Sequence, residues 1–407
     1  MDYRVWIICF FLFVAAICLQ AASGLMNRPR NIVLCTTLTV LALGLRMWCL
    51  PHVTLDYENF LSTWIQFFRD NGGVFALKYS VGNYNVPYLY FLSLFSYSDL
   101  YGLYQIKLLS IFFDVILAWA GMKLAGVFTQ DTGKRIFAFF GILFLPTVVL
   151  NGAYWGQCDS IYIAFAVMAL WLALTDRPVL SMICFAVSFG FKLQAIFLLP
   201  IIAVLWYRGK FSLWHALIFP AAYLVLVLPA VLLGRPLLDT LTLYLSQTGS
   251  VGSGLNYNSP SMFAFFLRDG NVKLWSAVGI AAAFGFLIAV LLWLYKKRGS
   301  VNDEVVLTAA LLFAVAIPYL LPHMHDRYFF GADVLSLVFA VAFPKLFFVP
   351  VLCQFASLLG YHAYLKMRYL FPMSYGATAL IVVIVVLIAF IIYHFPAQRR
   401  RNRRASS

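Results

Sequence analysis

Hydrophobic residues make up 63% of the 407-residue chain and charged residues 11%, against about 25% charged in soluble domains, so water cannot be the solvent for most of its surface. The length would otherwise allow two or three soluble domains; at about 20 apolar residues per span it predicts an all-α polytopic membrane protein of about 11–13 transmembrane helices. The formal net charge of +14 sits largely in short loops and in the tail Arg399, Arg400, Arg401, Arg403, Arg404, a cytoplasmic positive bias rather than a nucleic-acid footprint.

Along the chain, apolar runs predict spans at 5–25, 31–50, 103–128, 135–154, 158–174, 178–190, 191–206, 211–233, 273–295, 304–321, 329–343, 346–361 and 374–395. The first run is longer than a signal-peptide core and a second follows closely, so it reads as a retained span. The run 86–97 is too short to cross and fits an interfacial helix. The runs 178–190 and 191–206 are separable because Gly190, Lys192 and Gln194 mark a break. Basic loops at Arg28/Arg30, Lys134/Arg135, Arg208/Lys210, Lys296–Arg298 and Lys345 are expected in the cytoplasm, with the tail 396–407. Alternation then puts the loops 51–102 and 234–272 outside, with most of the non-basic polar residues, among them Asp56, Glu58, Asp239 and Asp269. One transmembrane domain, 1–395, is expected to carry these large outer loops. The seven cysteines show no CxxC pairing and read as core residues.

Four polar constellations interrupt the apolar pattern. Asp56 and Glu58, one of only two glutamates, follow the second span; a carboxylate there can take a proton from an attacking hydroxyl, or merely solvate a loop. Trp155, Gln157 and Asp159 lie in NGAYWGQCDS, an aromatic plane beside polar groups that suits a sugar ring, or else belt residues followed by a helix cap. Lys192 and Gln194 lie in FKLQAIFLLP. A lysine at membrane depth binds something anionic or snorkels to the headgroups. His323, His325, Asp326 and Arg327 lie in PHMHDRYFF, where arginine and histidine can grip phosphate oxygens. Zinc on His323, His325 and Asp326 is conceivable, but Arg327 would repel a cation, so no metal site is predicted.

Taken in order, the acidic motif, WGQCDS, FKLQAIFLLP and PHMHDRYFF resemble bacterial membrane mannosyltransferases related to the second mannosyltransferase of GPI-anchor synthesis, within the GT-C superfamily. The resemblance runs over roughly 50–345 and includes GNYNVPYLYFL and GRPLLDTLTLYL. It implies a GT-C-like fold and inverting transfer of a hexose, mannose or another, from a polyprenyl-phosphate sugar to an envelope glycan or lipid-linked acceptor. It places the active site at the extracytoplasmic face of a bacterial plasma membrane. It implies Asp56 as base, with Glu58 and Asp159 as further catalytic candidates. Trp155, Gln157, Lys192, Gln194, His323, His325, Asp326 and Arg327 are the implied donor-binding residues. Asp326 stands where relatives usually carry glutamate, His323 is an additional histidine, and Asp56-Tyr57-Glu58 is only the nearest equivalent of a DxD motif. The implied chemistry stabilises a departing lipid phosphate electrostatically and requires no cofactor; neither a Walker nor a Rossmann fingerprint is present. The alternatives are a polysaccharide polymerase or ligase and a lipid-linked-sugar transporter; the latter would show inverted repeats, and none is evident.

Overall fold

The computed structural model describes residues 2–249, 254–265 and 271–405, with side chains omitted at 247–249 and 395–405. Arg268 and Asp269 of the loop 234–272 therefore lie outside the described residues, and the side chains of the basic tail are likewise not described. Most of the described chain is helical: α1 (Tyr3–Ala22), α2 (Pro29–Cys49), α3 (Ser62–Asp70), α4 (Val86–Phe95), α5 (Gly102–Phe128), α6 (Thr132–Leu143), α7 (Pro146–Val149), α8 (Asp159–Leu174), α9 (Pro178–Phe191), α10 (Ile201–Tyr207), α11 (Ile218–Leu232), α12 (Leu237–Gly249), α13 (Val272–Lys296), α14 (Asp303–Leu320), α15 (Phe330–Ala342), α16 (Phe348–Leu365) and α17 (Met373–Ala405). Among the described residues eight helices, or nine with the bent pair at 132–155, are long and apolar enough to cross a membrane. This is an all-α polytopic membrane protein. The apolar segments expected from sequence reappear as helices, but α8, α9 and α15 have 16, 14 and 13 residues. At 1.5 Å per residue they reach only about 20–24 Å, short of the roughly 30 Å hydrocarbon core.

Local chemistry sets the ends. Asp2, Asn85, Asp131, Asn271 and Asn302 each accept a backbone N–H as N-caps, satisfying donors that the first helical turn cannot. Pro146 forces Leu145 into an extended conformation and bends the 132–155 pair by 43°. The expected break near Gly190 is present: α9 stops at Phe191 and a 3-10 turn, Leu193–Phe197, follows.

The described chain forms two compact units. The first holds residues 1–171, 179–195 and 216–250. Its centre is α5, buried on nearly every side, against which α1 and α6 pack. The outward side of α1 leaves Trp6, Phe10 and Phe11 58–64% exposed, a surface made for lipid. The segment expected to be an interfacial helix is α4, packed against the 73–78 turn and α3 with most of its residues buried.

The second unit holds 172–178, 196–215 and 251–407. It is built around α14, apolar all round and almost fully buried, as such a helix must be. A short parallel pair, β1 (Asn256–Tyr257) with β2 (Met324–His325), puts Tyr257 beside His325. Gly360 of α16 lies under this pair, where an added Cβ would come within 2.7 Å of the Asn258 carbonyl and 2.9 Å of the Asp326 carbonyl.

Candidate active site

Asp56 lies in the first turn of a helical segment that widens immediately into a π-turn, Tyr57–Leu61, before continuing as α3. A second π-turn, Leu150–Trp155, ends in Gly156, whose φ of 86° is a left-handed conformation suited to glycine. The reversal at Gly156 lets the residues on either side reach one target. Trp155 donates from Nε1 and Gln157 from Nε2 to the same oxygen, Asp56 Oδ2, at 2.8 and 2.6 Å. π-turns recur at functional sites, and here two of them shape one carboxylate's surroundings.

Two further ties fix the first loop to this turn, and a third fixes it to α5. Thr54 Oγ1 donates to the Trp155 carbonyl at 3.0 Å, and the His52 ring stacks on Tyr154 with centroids 3.7 Å apart. Lys107, fully buried, donates from Nζ to the carbonyls of Cys49, Leu50 and His52 at 3.0, 3.2 and 2.6 Å. The carbonyls at the end of α2 lack intrahelical partners, and the ammonium supplies them. Tyr57, next to Asp56, is buried; burial, with Tyr101 adding to it, pushes its phenol up to about 12, so it stays neutral and anchors the turn.

Asp159 is sealed away and fully engaged. Its Oδ2 accepts from Asn151 Nδ2 at 2.7 Å, and its Oδ1 pairs with Lys192 Nζ. Either charge alone at this depth would cost several kcal/mol; the pair and the amide offset that cost. Lys192 also stands 5.8 and 5.9 Å from the rings of Tyr84 and Tyr162. Gln194 is half-exposed, and its Oε1 accepts no hydrogen bond among the described residues.

The structure thus brings Asp56, Trp155 and Gln157 together directly, and places Lys192 on Asp159. Glu58 projects from the π-turn and is exposed. Trp155, expected as an open sugar platform, is fully buried and serves Asp56 through its N–H instead. The remaining expected residues belong to the second unit. There His323 adopts a left-handed φ of 61°, a strained conformation for a side-chain-bearing residue. It is held by its own backbone bond to the Leu255 carbonyl and by both ring nitrogens, Nδ1 to the Gly254 carbonyl at 2.7 Å and Nε2 to Ser276 Oγ at 2.9 Å. His325 stacks on Tyr257 at 4.8 Å. Buried Asp326 lies 3.6 Å from the Arg327 guanidinium.

Sequence reasoning passed over several residues of this framework. Lys107 is one. Arg46 and Asp114 are others: both are buried, they pair at 2.9 Å, and Ser160 donates to the other Asp114 oxygen. The available signal was a charge inside an apolar run, the same signal that singled out Lys192.

Residues 91–208, under a third of the chain, match the family described as MptA_B, alpha-(1->6)-mannopyranosyltransferase, N-terminal domain. No curated protein matches. The matched stretch contains WGQCDS and Lys192, and it supports a GT-C-like mannosyltransferase; the finer relation to the GPI enzyme rests on the resemblance alone.

Proposed function

We propose that this chain, mannosyltransferase-like over residues 91–208, transfers mannose from a polyprenyl-phosphate donor to a hydroxyl of an envelope glycan or lipid-linked acceptor. The observation that carries the reading is the contrast between two carboxylates. Asp159 is buried and paired with Lys192, whereas Asp56 is half-buried, with Trp155 and Gln157 donating to its Oδ2. A base must meet its substrate, and the difference in burial supports Asp56 in that role.

In this mechanism the acceptor oxygen attacks the anomeric carbon, its proton passes to Asp56, and the carbon–oxygen bond to phosphate breaks. The electron pair leaves with the lipid phosphate. The matched family is named for an α product, and an inverting displacement gives α only from a β-linked donor, so the donor is proposed to be a β-mannosyl phosphate. Lys192, tethered by Asp159, offers positive charge toward the leaving phosphate, and Gln194 offers an amide to the donor. Within the second unit, His325 and Arg327 are proposed to bind phosphate in their own right, with Asp326 and His323 orienting them. The leaving group is activated already, so no cofactor is required. Alternation of the basic loops supports an extracytoplasmic site, and the membrane is proposed to be a bacterial plasma membrane.

Asp56→Asn tests the reading, because the amide keeps the shape but cannot take a proton. Transfer should fall at least 100-fold while polyprenyl-phosphate mannose still binds. Glu58→Gln should cost about 10-fold or less, the effect of tuning a neighbour by roughly one pK unit. Near-full transfer by Asp56→Asn, with Asp159→Asn dead, would move the base to Asp159.

A further inference from the structure

The first unit contains an aromatic row that the chemistry above does not use. Phe60 and Trp64 lie one turn apart on the π-turn and α3, Trp64 meets Tyr84, and Tyr84 in turn meets Tyr88, the two tyrosines flanking the start of α4. Ring centroids step 6.3 Å from Phe60 to Trp64, 5.6 Å to Tyr84 and 4.7 Å to Tyr88. Only Tyr88 is core. Phe60 is 52% exposed, and Trp64 and Tyr84 are half-buried. Gly82, at φ 60°, lies directly against the six-membered ring of Trp64, where an added Cβ would fall within 2.3 Å. Its bare backbone fixes the indole from that side.

The inner end of the row reaches the carboxylate. Tyr84 donates its hydroxyl to Gln157 Oε1 at 3.4 Å, and the amide of the same Gln157 donates to Asp56. Lys192 stands over Tyr84 as well. A row of lipid-facing belt aromatics would need no such connection. A hexopyranose presents an apolar C–H face and a polar rim, and half-exposed aromatic rings that end at a hydrogen-bonded carboxylate suit both.

Resting on the transferase reading, we propose that Phe60, Trp64 and Tyr84 form the acceptor subsite, on which a hexopyranose ring stacks its C–H face with the reacting hydroxyl directed toward Asp56. The row then sets acceptor affinity and not donor affinity.

Two measurements test it on the full-length protein in detergent. The first follows transfer from polyprenyl-phosphate mannose to octyl α-mannopyranoside in wild type, Trp64→Ala, Trp64→Phe and Phe60→Ala. Trp64→Ala should raise the acceptor KM roughly 3- to 10-fold, the scale of one aromatic contact, with the donor KM within about twofold, and Trp64→Phe should recover most of the loss. The second is saturation-transfer NMR with methyl α-mannopyranoside, which needs no turnover and so separates failure of this subsite from failure of the transferase reading. Wild type should saturate the C–H protons of one ring face, and Trp64→Ala should lose that pattern. Should Trp64→Ala not fold, Trp64→Phe and Phe60→Ala decide. Unchanged acceptor KM and unchanged saturation in the variants that fold would overturn the proposal and leave the row an interfacial belt.

Discussion

Lys107 directs its ammonium at three carbonyls at the end of α2, and through them it sets where the chain leaves that helix toward Asp56. The Cys49 carbonyl also accepts from the His52 N–H, so removal of the ammonium chiefly strips the buried Leu50 carbonyl of its Lys107 bond, at about 1–3 kcal/mol. Lys107→Met should therefore lower the unfolding temperature of the detergent-solubilised protein by several degrees. It should also reduce kcat more than the donor KM, because Asp56 shifts while Lys192 stays. A drop in stability with kcat intact would make Lys107 a plain strut. Arg327 offers a second test. Arg327→Ala should weaken donor binding with expression near normal, and Arg327→Lys should rescue poorly because a point charge lacks the bidentate fork; equilibrium binding of polyprenyl-phosphate mannose measures both. The candidate residues themselves were visible in the sequence as polar interruptions of apolar runs. What each one touches was not. Trp155 reads as a sugar platform until its burial and its bond to Asp56 are seen, and the Arg46–Asp114 pair joins positions 68 residues apart, beyond any local pattern.

Among the elements, helix existence followed from hydrophobic runs, and the 190–192 break followed from Gly190 and Lys192. The π-turns could not be read in this way, because a one-residue change in hydrogen-bond register leaves no mark on composition. The short β1–β2 pair is equally hidden: two residues per strand carry no alternation, and their pairing depends on α16 accepting the backbone of both loops beside Gly360. Gly360→Ala tests that dependence. Its Cβ would meet two carbonyl oxygens under 3 Å, and overpacking against backbone costs typically 1–3 kcal/mol. The expected outcome is a lower unfolding temperature accompanied by weaker donor binding through displacement of the 323–327 loop. A variant with wild-type stability and binding would show that the loop stands without α16.

For the whole molecule, composition identified lipid as the solvent, and eight to nine span-length helices agree with that. The division into two units was not legible, since each is assembled from three separated stretches of sequence. Sidedness is open to direct test: single cysteines at 56 and 325 on a cysteine-free background should label from outside intact cells, and one at 398 only after permeabilisation. Labelling of 56 or 325 from the cytoplasmic side alone would sink the proposed mechanism.

The Asp159–Lys192 pair has a consequence for how the protein enters its membrane. Asp159 opens α8 and Lys192 follows the end of α9, so consecutive helices form a hairpin whose two tips carry opposite charges. Ser181 and Ser188 on one leg donate at 2.7 Å to the carbonyls of Ala169 and Tyr162 on the other. During synthesis α8 emerges first, bearing at its N-terminal end a lone carboxylate that is costly to bury without a partner. Partitioned together with α9, it arrives already neutralised. The translocon should therefore release this hairpin laterally as one unit, and Lys192→Ala should show its first defect in biogenesis, as nascent chains cleared by proteases. Asp159→Asn in the same chain should restore the yield of inserted protein without restoring transfer.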